Sequence, residues 1–251
     1  MAIPVKIVAE IGINHGGNLD TAQKLVDVAI DAGCDAVKFQ TYWNIPEFAH
    51  LNFWKGEWQR LFLYCELQGI KWFSTPFDLQ AVKFLDDLGM ETWKLPSNKI
   101  VLGDPYMLDA IQDAKSRKHT IISTGISKMW DIYELMLRFY DKQFINDSTM
   151  TLLHCVSKYP TPIDEMNLFR IGTLQKRFEV PVGLSDHSTS IFAVPIGAVK
   201  MGAVMIEKHI TLDRDAIGPD HLASLNPSQL KRMVRGIRNY EWEINEKHYK
   251  E

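Results

Sequence analysis

The sequence has few of the features that mark specialised classes of protein. Its 251 residues contain three cysteines, an odd number, and no CxxC pair, so neither a disulfide framework nor a paired-cysteine metal site is indicated. No apolar run approaches the roughly 20 residues needed to cross a bilayer. The amino-terminal run MAIPVKIVAEIG is too short in its apolar part for a secretory signal. We therefore expect reduced thiols at Cys34, Cys65 and Cys155, no membrane partner and a cytoplasmic location.

An excess of charge of one sign is also missing. The formal net charge is −3, with 24% charged and 46% hydrophobic residues, which is ordinary for a globular chain. This balance argues against general binding to nucleic acid or to an anionic membrane, but it allows a local basic pocket for a small anion. No linker, low-complexity segment or charge block divides the chain, so we expect one domain over residues 1–251.

What the sequence does contain is a regular alternation of short β-branched runs and longer amphipathic segments. Eight runs are predicted strands: 6–12, 36–42, 71–76, 92–97, 119–125, 150–157, 181–186 and 204–209. Clear helical patterns cover 19–33, 79–89, 105–117, 190–202 and 226–247. Apolar strands that alternate with helices form parallel sheets, and eight such pairs in about 250 residues match a (β/α)₈ barrel. A doubly wound open sheet is the second choice, because it has fewer strands and a glycine-rich first turn that this sequence lacks.

Polar residues are concentrated where the predicted strands end. In a parallel barrel these ends converge on one face, where chemistry takes place. The residues there are Glu10, Asn14, His15, Lys38, Gln40, Thr41, Ser74, Thr75, Asp78, Lys94, Ser97, Ser123, Thr124, Gly125, His154, Ser157, Tyr159, Ser185, Asp186, His187, Glu207 and His209. Such a concentration beside apolar strand cores predicts an enzyme.

Two lysines, Lys38 and Lys94, lie inside predicted strands. An unpaired buried ammonium group is costly, so each lysine needs an anionic partner. Three hypotheses for the role of these lysines remain open: a structural ion pair with Glu10 or Glu207, a clamp for a phosphate or carboxylate ligand, and a lysine that forms a Schiff base.

Two strands end in histidine in the same way, in the runs PVGLSDHSTS (181–190) and VMIEKH (204–209). His187 and His209 would be neighbours across one strand spacing of a barrel. Two neutral imidazoles there suit a divalent cation such as Mn²⁺, Co²⁺ or Zn²⁺ and leave positions open for a substrate oxygen. A histidine held by a backbone carbonyl is the structural alternative, and His15 and His221 are further candidates.

The run from Val8 to Tyr42, VAEIGINHGGNLDTAQKLVDVAIDAGCDAVKFQTY, closely resembles the amino-terminal part of the sialic acid synthases, the NeuB family. The resemblance continues in collinear order through FSTPFD (73–78), IISTGIS (121–127), LLHCVSKYPTP (152–162), GLSDHS (183–188), IEKHITLDRD (206–215) and GPDHLASLNP (218–227). It implies an enzyme that condenses phosphoenolpyruvate with N-acetylmannosamine or a related aldose and releases phosphate by C–O cleavage.

The resemblance also implies the site. Phosphoenolpyruvate contacts fall on Lys38, Thr75, Lys94, Ser97, Ser123, Ser157, Tyr159 and Ser185, with Ser157 standing where some members have Asn. The sugar side falls on Gln40 and Asp220, and the metal ligands on His187 and His209. The implied metal is Mn²⁺ first, with Mg²⁺ or Co²⁺ as alternatives. In catalysis Lys38 and Lys94 would neutralise the phosphate and carboxylate, and Glu10 or Glu207 would handle a proton or hold charge.

Two departures from the family pattern concern the sugar side. Typical members continue into a C-terminal antifreeze-like domain that covers the partner's active site, whereas this sequence ends at Glu251. The connection 43–62 is also shorter than usual, and its aromatic residues Trp43, Phe48, Trp54 and Trp58 either form a substitute lid or pack locally. We therefore leave open a different aldose acceptor, a homodimer, and a barrel that binds ligand but needs a separate cap protein for turnover.

Overall fold

The computed structural model describes residues 4–97, 104–140 and 149–248, except the side chains of 138–140 and 247–248; the rest of the predicted 1–251 domain lies outside the described residues. Eight parallel strands close into a barrel in sequence order. They are β1 (Lys6–Gly12), β2 (Ala36–Thr41), β3 (Lys71–Pro76), β4 (Thr92–Leu95), β5 (His119–Ser123), β6 (Met150–His154), β7 (Val182–Asp186) and β8 (Met205–His209). Because β1 pairs with β8, the predicted (β/α)₈ barrel is confirmed and the open sheet is wrong.

Helices alternate with the strands along the chain. They are α1 (Leu19–Ala32), α2 (Lys55–Leu67), α3 (Leu79–Asp87), α4 (Pro105–Asp113), α5 (Met129–Tyr140), α6 (Phe169–Phe178), α7 (Ala193–Lys200) and α8 (Pro227–His248). The five predicted helices all occur, with shorter ends for α4 and α7. No helix among the described residues has the length and apolar character to cross a membrane.

The helix ends follow the predicted capping residues. Asn18 accepts a hydrogen bond from the backbone of Thr21 at the start of α1, and Gly33 ends that helix at φ 82°, a left-handed conformation that glycine adopts without strain. At α8, Asn226 accepts from the backbone N–H of Gln229 at 3.0 Å, and Pro227 is the first helical residue. These caps fix where the chain leaves and re-enters the barrel.

Side chains alternate along each strand between the barrel interior and the helix layer. On β2, Val37 and Phe39 are fully buried hydrophobic core residues, while Lys38 between them contacts Glu10 across the barrel interior. Apolar residues therefore hold the helices against the strands. The polar residues of the interior are carried on the alternate positions.

The four aromatic residues predicted as a lid or as local packing differ: Trp58 and Trp43 are packed, whereas Trp54 is 64% and Phe48 39% exposed. Trp58 is fully buried between Phe53 and Phe62, with ring centroids 4.9 and 5.3 Å away. Trp43 packs on Phe84 at 4.9 Å. Local packing, rather than a lid, is thus the role of Trp58 and Trp43 in this structure.

Candidate active site

Two buried lysines and two buried glutamates form a charge cluster at the carboxyl end of the barrel. Glu10 and Lys38 are register partners on β1 and β2 and form an ion pair. Glu207 on β8 lies 4.0 Å from Lys38 Nζ through Oε2 and 3.5 Å from Lys94 Nζ through Oε1. The predicted structural ion pair therefore exists, and it lies where the predicted anion clamp would be.

The charge states within this cluster are set by burial and by mutual contact. Burial raises the pKa of Glu10 to about 8, although Lys38 opposes the shift. Burial alone would also raise the pKa of Glu207, but Lys38 and Lys94 outweigh it and the pKa is lowered. Burial lowers the pKa of Lys94, and repulsion from Lys38 adds to this while Glu207 opposes it. When Glu10 takes up a proton, its pair with Lys38 loses the negative charge, which favours an incoming anion.

Hydroxyl groups from several strand ends surround the two lysines. Lys94 Nζ donates to Ser123 Oγ at 2.8 Å, and Lys38 Nζ donates to Thr75 Oγ1 at 3.3 Å. Ser185 Oγ donates to Glu207 Oε1 at 2.8 Å. A phosphate or carboxylate is held best by ammonium groups together with neutral donors of this kind.

A second group of small polar side chains adjoins Lys94 around Gly125. The hydroxyl oxygens of Ser97 and Ser157 lie 3.0 Å apart. A Cβ on Gly125 would lie 2.5 Å from Ser157 Oγ and 2.8 Å from both Ser97 Oγ and Cys155 Sγ. The three side chains therefore occupy the space that a side chain at position 125 would fill.

Cys155, for which the sequence predicts only a reduced structural thiol, lies within the site. It is 3% exposed, and burial raises the pKa of its thiol, with hydrogen bonding to Ser97 opposing the shift. A neutral thiol thus lies among the hydroxyls next to Lys94. The sequence does contain a sign of this position, because Cys155 lies two residues before the predicted site residue Ser157 and should face the same side of the strand.

The paired histidines face each other at the ends of β7 and β8. Their ring centroids are 5.8 Å apart. His187 Nδ1 donates to the carbonyl of Val156 at 2.6 Å, which leaves Nε2 to accept from Tyr159 OH at 2.9 Å. Ser185 Oγ, which donates its proton to Glu207, lies 3.3 Å from Nε2. His209 Nδ1 is buried without a hydrogen-bond partner, and Asp220 Oδ2 lies 3.8 Å from it.

Both imidazoles are neutral near neutral pH. Burial lowers the pKa of His187 to about 4. Burial and then repulsion from His187 and Lys38 lower the pKa of His209 well below its usual value. Burial raises the pKa of Asp220 to about 6, against the effect of Lys38. Neutral nitrogen donors of this kind are what a metal requires.

The histidine pair fits a divalent cation in its donor chemistry. The Val156 carbonyl fixes the His187 tautomer, so that the Nε2 lone pair, which here accepts from Tyr159 OH, is the one a metal would use. The unpartnered His209 Nδ1 is a second donor, and the Asp220 carboxylate is close to it. Within the described ranges, no group of three or more His, Cys, Asp or Glu side chains is already arranged as a complete ligand set.

The predicted sugar-side residues gather around Gly12. The β1–β2 pairing shifts register between Glu10 and Gly12, and Gly12 has a φ of 55°. A Cβ there would lie 2.9 Å from Glu10 Oε1, 3.5 Å from Gln40 Nε2 and 3.7 Å from Asp220 Oδ2. The bulge therefore brings Gln40 and Asp220 next to the charge cluster.

Other polar residues in the strand-end prediction are engaged elsewhere. His15 stacks on Phe53 with centroids 4.4 Å apart. His221, a further candidate outside the strand ends, bonds to Thr211. The remaining members bond to backbone or to neighbours: Asn14, Thr41, Ser74, Asp78, Thr124, His154 and Asp186. The residues on strands lie outside the site because side chains alternate along a strand. Asp186, for example, follows the inward-facing Ser185 and therefore faces the helix layer. The residues predicted for the metal, the sugar and phosphoenolpyruvate, by contrast, lie together.

A closed parallel barrel that gathers buried lysines, hydroxyls, carboxylates and two neutral imidazoles at one end defines a barrel enzyme for anionic substrates. The model of the NeuB family matches residues 44–249. An N,N'-diacetyllegionaminic acid synthase of Campylobacter jejuni is 36% identical, the match covering 92% of this chain and 75% of that protein. The human N-acetylneuraminate-9-phosphate synthase is 33% identical, with coverages of 94% and 70%.

Solved structures give the same result. The N-acetylneuraminic acid synthetase of Leptospira borgpetersenii superposes with a TM-score of 0.87 at 34% identity, covering 96% of this chain and 85% of that one. A 3-deoxy-D-arabino-heptulosonate 7-phosphate synthase from Thermotoga maritima, at 10% identity and a TM-score of 0.74, shares the fold. The chain belongs to the NeuB family. It is accordingly an enzyme of the phosphoenolpyruvate-dependent sugar-acid synthase class.

Proposed function

We propose that this protein condenses phosphoenolpyruvate with N-acetylmannosamine or a related N-acetylated aldose, with the help of a divalent metal, to give a sialic-acid-like nonulosonic acid. The observation that carries this proposal is the position of the Lys94–Ser123 anion site in the same buried cluster as the His187–His209 pair. Relatives of this protein are named as synthases of N,N'-diacetyllegionaminic acid, pseudaminic acid and N-acetylneuraminate 9-phosphate. These names support an aldose acceptor of this class.

In the reaction, the methylene carbon of phosphoenolpyruvate forms a C–C bond with the aldehyde carbon of the open-chain sugar. A water then adds to the former enol carbon, and the tetrahedral intermediate releases phosphate by C–O cleavage. Lys94 with Ser123, and Lys38 with Thr75, hold the anionic groups and favour departure of the phosphate dianion. Gln40 and Asp220 contact the sugar.

A divalent ion, Mn²⁺ in the first instance, would be held by His187 and His209 and would supply Lewis acidity at the aldehyde oxygen. Protons are handled by the chain's own carboxyl groups. Glu10, whose pKa is raised to about 8 by burial, is suited to exchange a proton with water or substrate near neutral pH. Glu207 stays ionised between the two lysines and fixes their positions.

The test is phosphate release from phosphoenolpyruvate with Mn²⁺ and a panel of aldoses with and without N-acetyl groups. We expect release that needs both the metal and N-acetylmannosamine or a close relative. Phosphoenolpyruvate labelled with ¹⁸O at the bridging oxygen should give labelled phosphate. Release with a different aldose alone would change the acceptor, and no release with any aldose would favour a binding barrel that needs a separate cap protein.

Direct metal binding tests the histidine assignment without relying on turnover. His187→Gln and His209→Gln should each weaken Mn²⁺ binding by at least about 100-fold, measured by titration followed by electron paramagnetic resonance. His15→Gln, at another buried histidine at the same end of the barrel, is the matched control and should bind Mn²⁺ normally. Equal Mn²⁺ affinities in all three variants would show that His187 and His209 do not bind the metal.

A further inference from the structure

A second cavity lies at the end of the barrel opposite the candidate active site. Its volume is about 770 Å³, within the range of roughly 300–1,000 Å³ typical of small-molecule sites. Six strands contribute their first residues to its lining: Lys6, Ala36, Lys71, Thr92, His119 and Met205. The cavity is therefore the amino-terminal mouth of the barrel, and it shares none of the proposed catalytic residues.

The floor of this amino-terminal cavity is apolar. Val8, Phe73, Ile121 and Met205 line it and are each at most 4% exposed. Each lies two residues before an active-site residue on the same strand, namely Glu10, Thr75, Ser123 and Glu207. Because side chains two apart face the same side, one apolar layer separates the cavity from the active site.

The acidic groups at the rim of the cavity already have partners. Asp35 accepts from the backbone N–H of Ile7 at 2.6 Å and from Arg238 at 2.7 Å. Glu91 pairs with Lys118. Glu66, at the same rim, accepts from Trp72 Nε1 at 3.3 Å. This donor is neutral, so the lining keeps the one negative charge of Glu66 beside the lysines Lys6 and Lys71.

Three lysines line the cavity: Lys118 is paired with Glu91, whereas Lys6 and Lys71 have no partner among the described residues. Among the residues that the structure describes, the ammonium groups of Lys6 and Lys71 make no ion pair or hydrogen bond. Both are exposed. Lys6 is on β1 and Lys71 on β3, on either side of β2, where Ala36 is the register partner of Lys71. The small side chain of Ala36 also lines the cavity.

We propose that this amino-terminal cavity binds a small organic anion. Its apolar or aromatic body rests on the floor, and its carboxylate, sulfonate or phosphate group lies between Lys6 and Lys71. The apolar floor provides most of the binding energy, because apolar area is removed from water there. The two exposed ammonium groups select for negative charge and set its orientation, since exposed ion pairs alone are weak.

The probe for this proposal is 8-anilinonaphthalene-1-sulfonate, an aromatic anion whose fluorescence rises in apolar sites. We expect saturable binding to the full chain, with a dissociation constant that rises at least about fivefold in Lys6→Gln/Lys71→Gln. The control Lys83→Gln/Lys231→Gln removes the same charge from exposed helix positions and should bind the probe like the wild type. Circular dichroism of each variant checks that it is folded.

Saturating phosphoenolpyruvate separates this cavity from the active site. We expect it to leave probe binding unchanged, and the Lys6→Gln/Lys71→Gln variant to keep a normal KM for phosphoenolpyruvate. Equal displacement of the probe by phosphoenolpyruvate in the wild type and in the Lys6→Gln/Lys71→Gln variant would place the probe in the active site and overturn the proposal. Equal probe affinities in this variant and its control would also overturn it. Neither readout of probe affinity depends on the proposed condensation.

Discussion

A single glycine, Gly125, controls how closely the side chains of the anion site approach one another. Ser97, Cys155 and Ser157 all reach its backbone, although they come from the segments that follow β4 and β6. Bulk at Gly125 would therefore displace the hydroxyls beside Lys94 before it disturbs the barrel. The site should thus be sensitive to a methyl group at this position.

Gly125→Ala should raise the KM for phosphoenolpyruvate by about tenfold or more, because the new Cβ would overlap the hydroxyl groups of Ser97 and Ser157. The measurement is steady-state phosphate release at saturating sugar. Gly172→Ala in α6 is the matched control, since nothing lies within 4 Å of a Cβ there and alanine favours a helix. A KM unchanged in Gly125→Ala would mean that these hydroxyls do not contact the substrate.

At the level of elements, β7 and β8 are joined by a buried ion pair outside the barrel interior. Lys208 Nζ lies 2.9 Å from Asp186 Oδ2, and both side chains are fully buried. Lys208 also donates to the carbonyl of Ser188. Each member is next to one of the paired histidines in sequence, so this contact holds the ends of the two strands in register behind His187 and His209.

Lys208→Met should lower the free energy of unfolding by about 3–5 kcal/mol, because it leaves the Asp186 carboxylate buried without its cation. The double variant Asp186→Leu/Lys208→Met should recover a large part of this loss. Urea unfolding of the metal-free protein measures both. Lys83→Met, which breaks an exposed pair with Asp87, is the control and should show no measurable change. A double variant as unstable as Lys208→Met would show that the charge imbalance is not the cause.

The elements were largely predictable from the sequence, whereas the orientation of their polar residues was not. Apolar runs bounded by helical patterns gave all eight strands, because a parallel barrel buries both faces of each strand. The same runs do not reveal which alternate positions face the interior. For this reason the sequence places Asp186 in the predicted site together with Ser185, although adjacent strand residues face opposite sides. It also does not single out Cys155, although Cys155 lies two residues before Ser157 and faces the same side. The closed barrel shows which positions face the interior. The contact between Glu10 and Lys38, for example, shows that these two residues and their alternate neighbours on β1 and β2 point inward.

Considered as a whole, the molecule places its two ends under different physical conditions. The carboxyl end holds buried charges and neutral histidines, and the amino end holds an apolar floor with exposed lysines at its mouth. Burial of neutral imidazoles also limits the pH range in which the fold is stable. His15 shows this apart from the proposed metal ligands, because it packs on Phe53 and its pKa is lowered by burial from 6.5 to about 4.

His15 should therefore contribute to acid sensitivity. Its pKa is lower in the folded than in the unfolded protein, so the unfolded state takes up a proton first as the pH falls. The stability from neutral His15 is present above pH 6.5 and is lost as the pH drops towards about 4. Between about pH 7.5 and 5.5, this single group accounts for about 1 kcal/mol of lost stability. Urea unfolding of wild type and His15→Gln, both with chelator, should show a smaller loss by that amount in the variant. An identical pH dependence in the two proteins would mean that His15 is protonated without cost in the folded state.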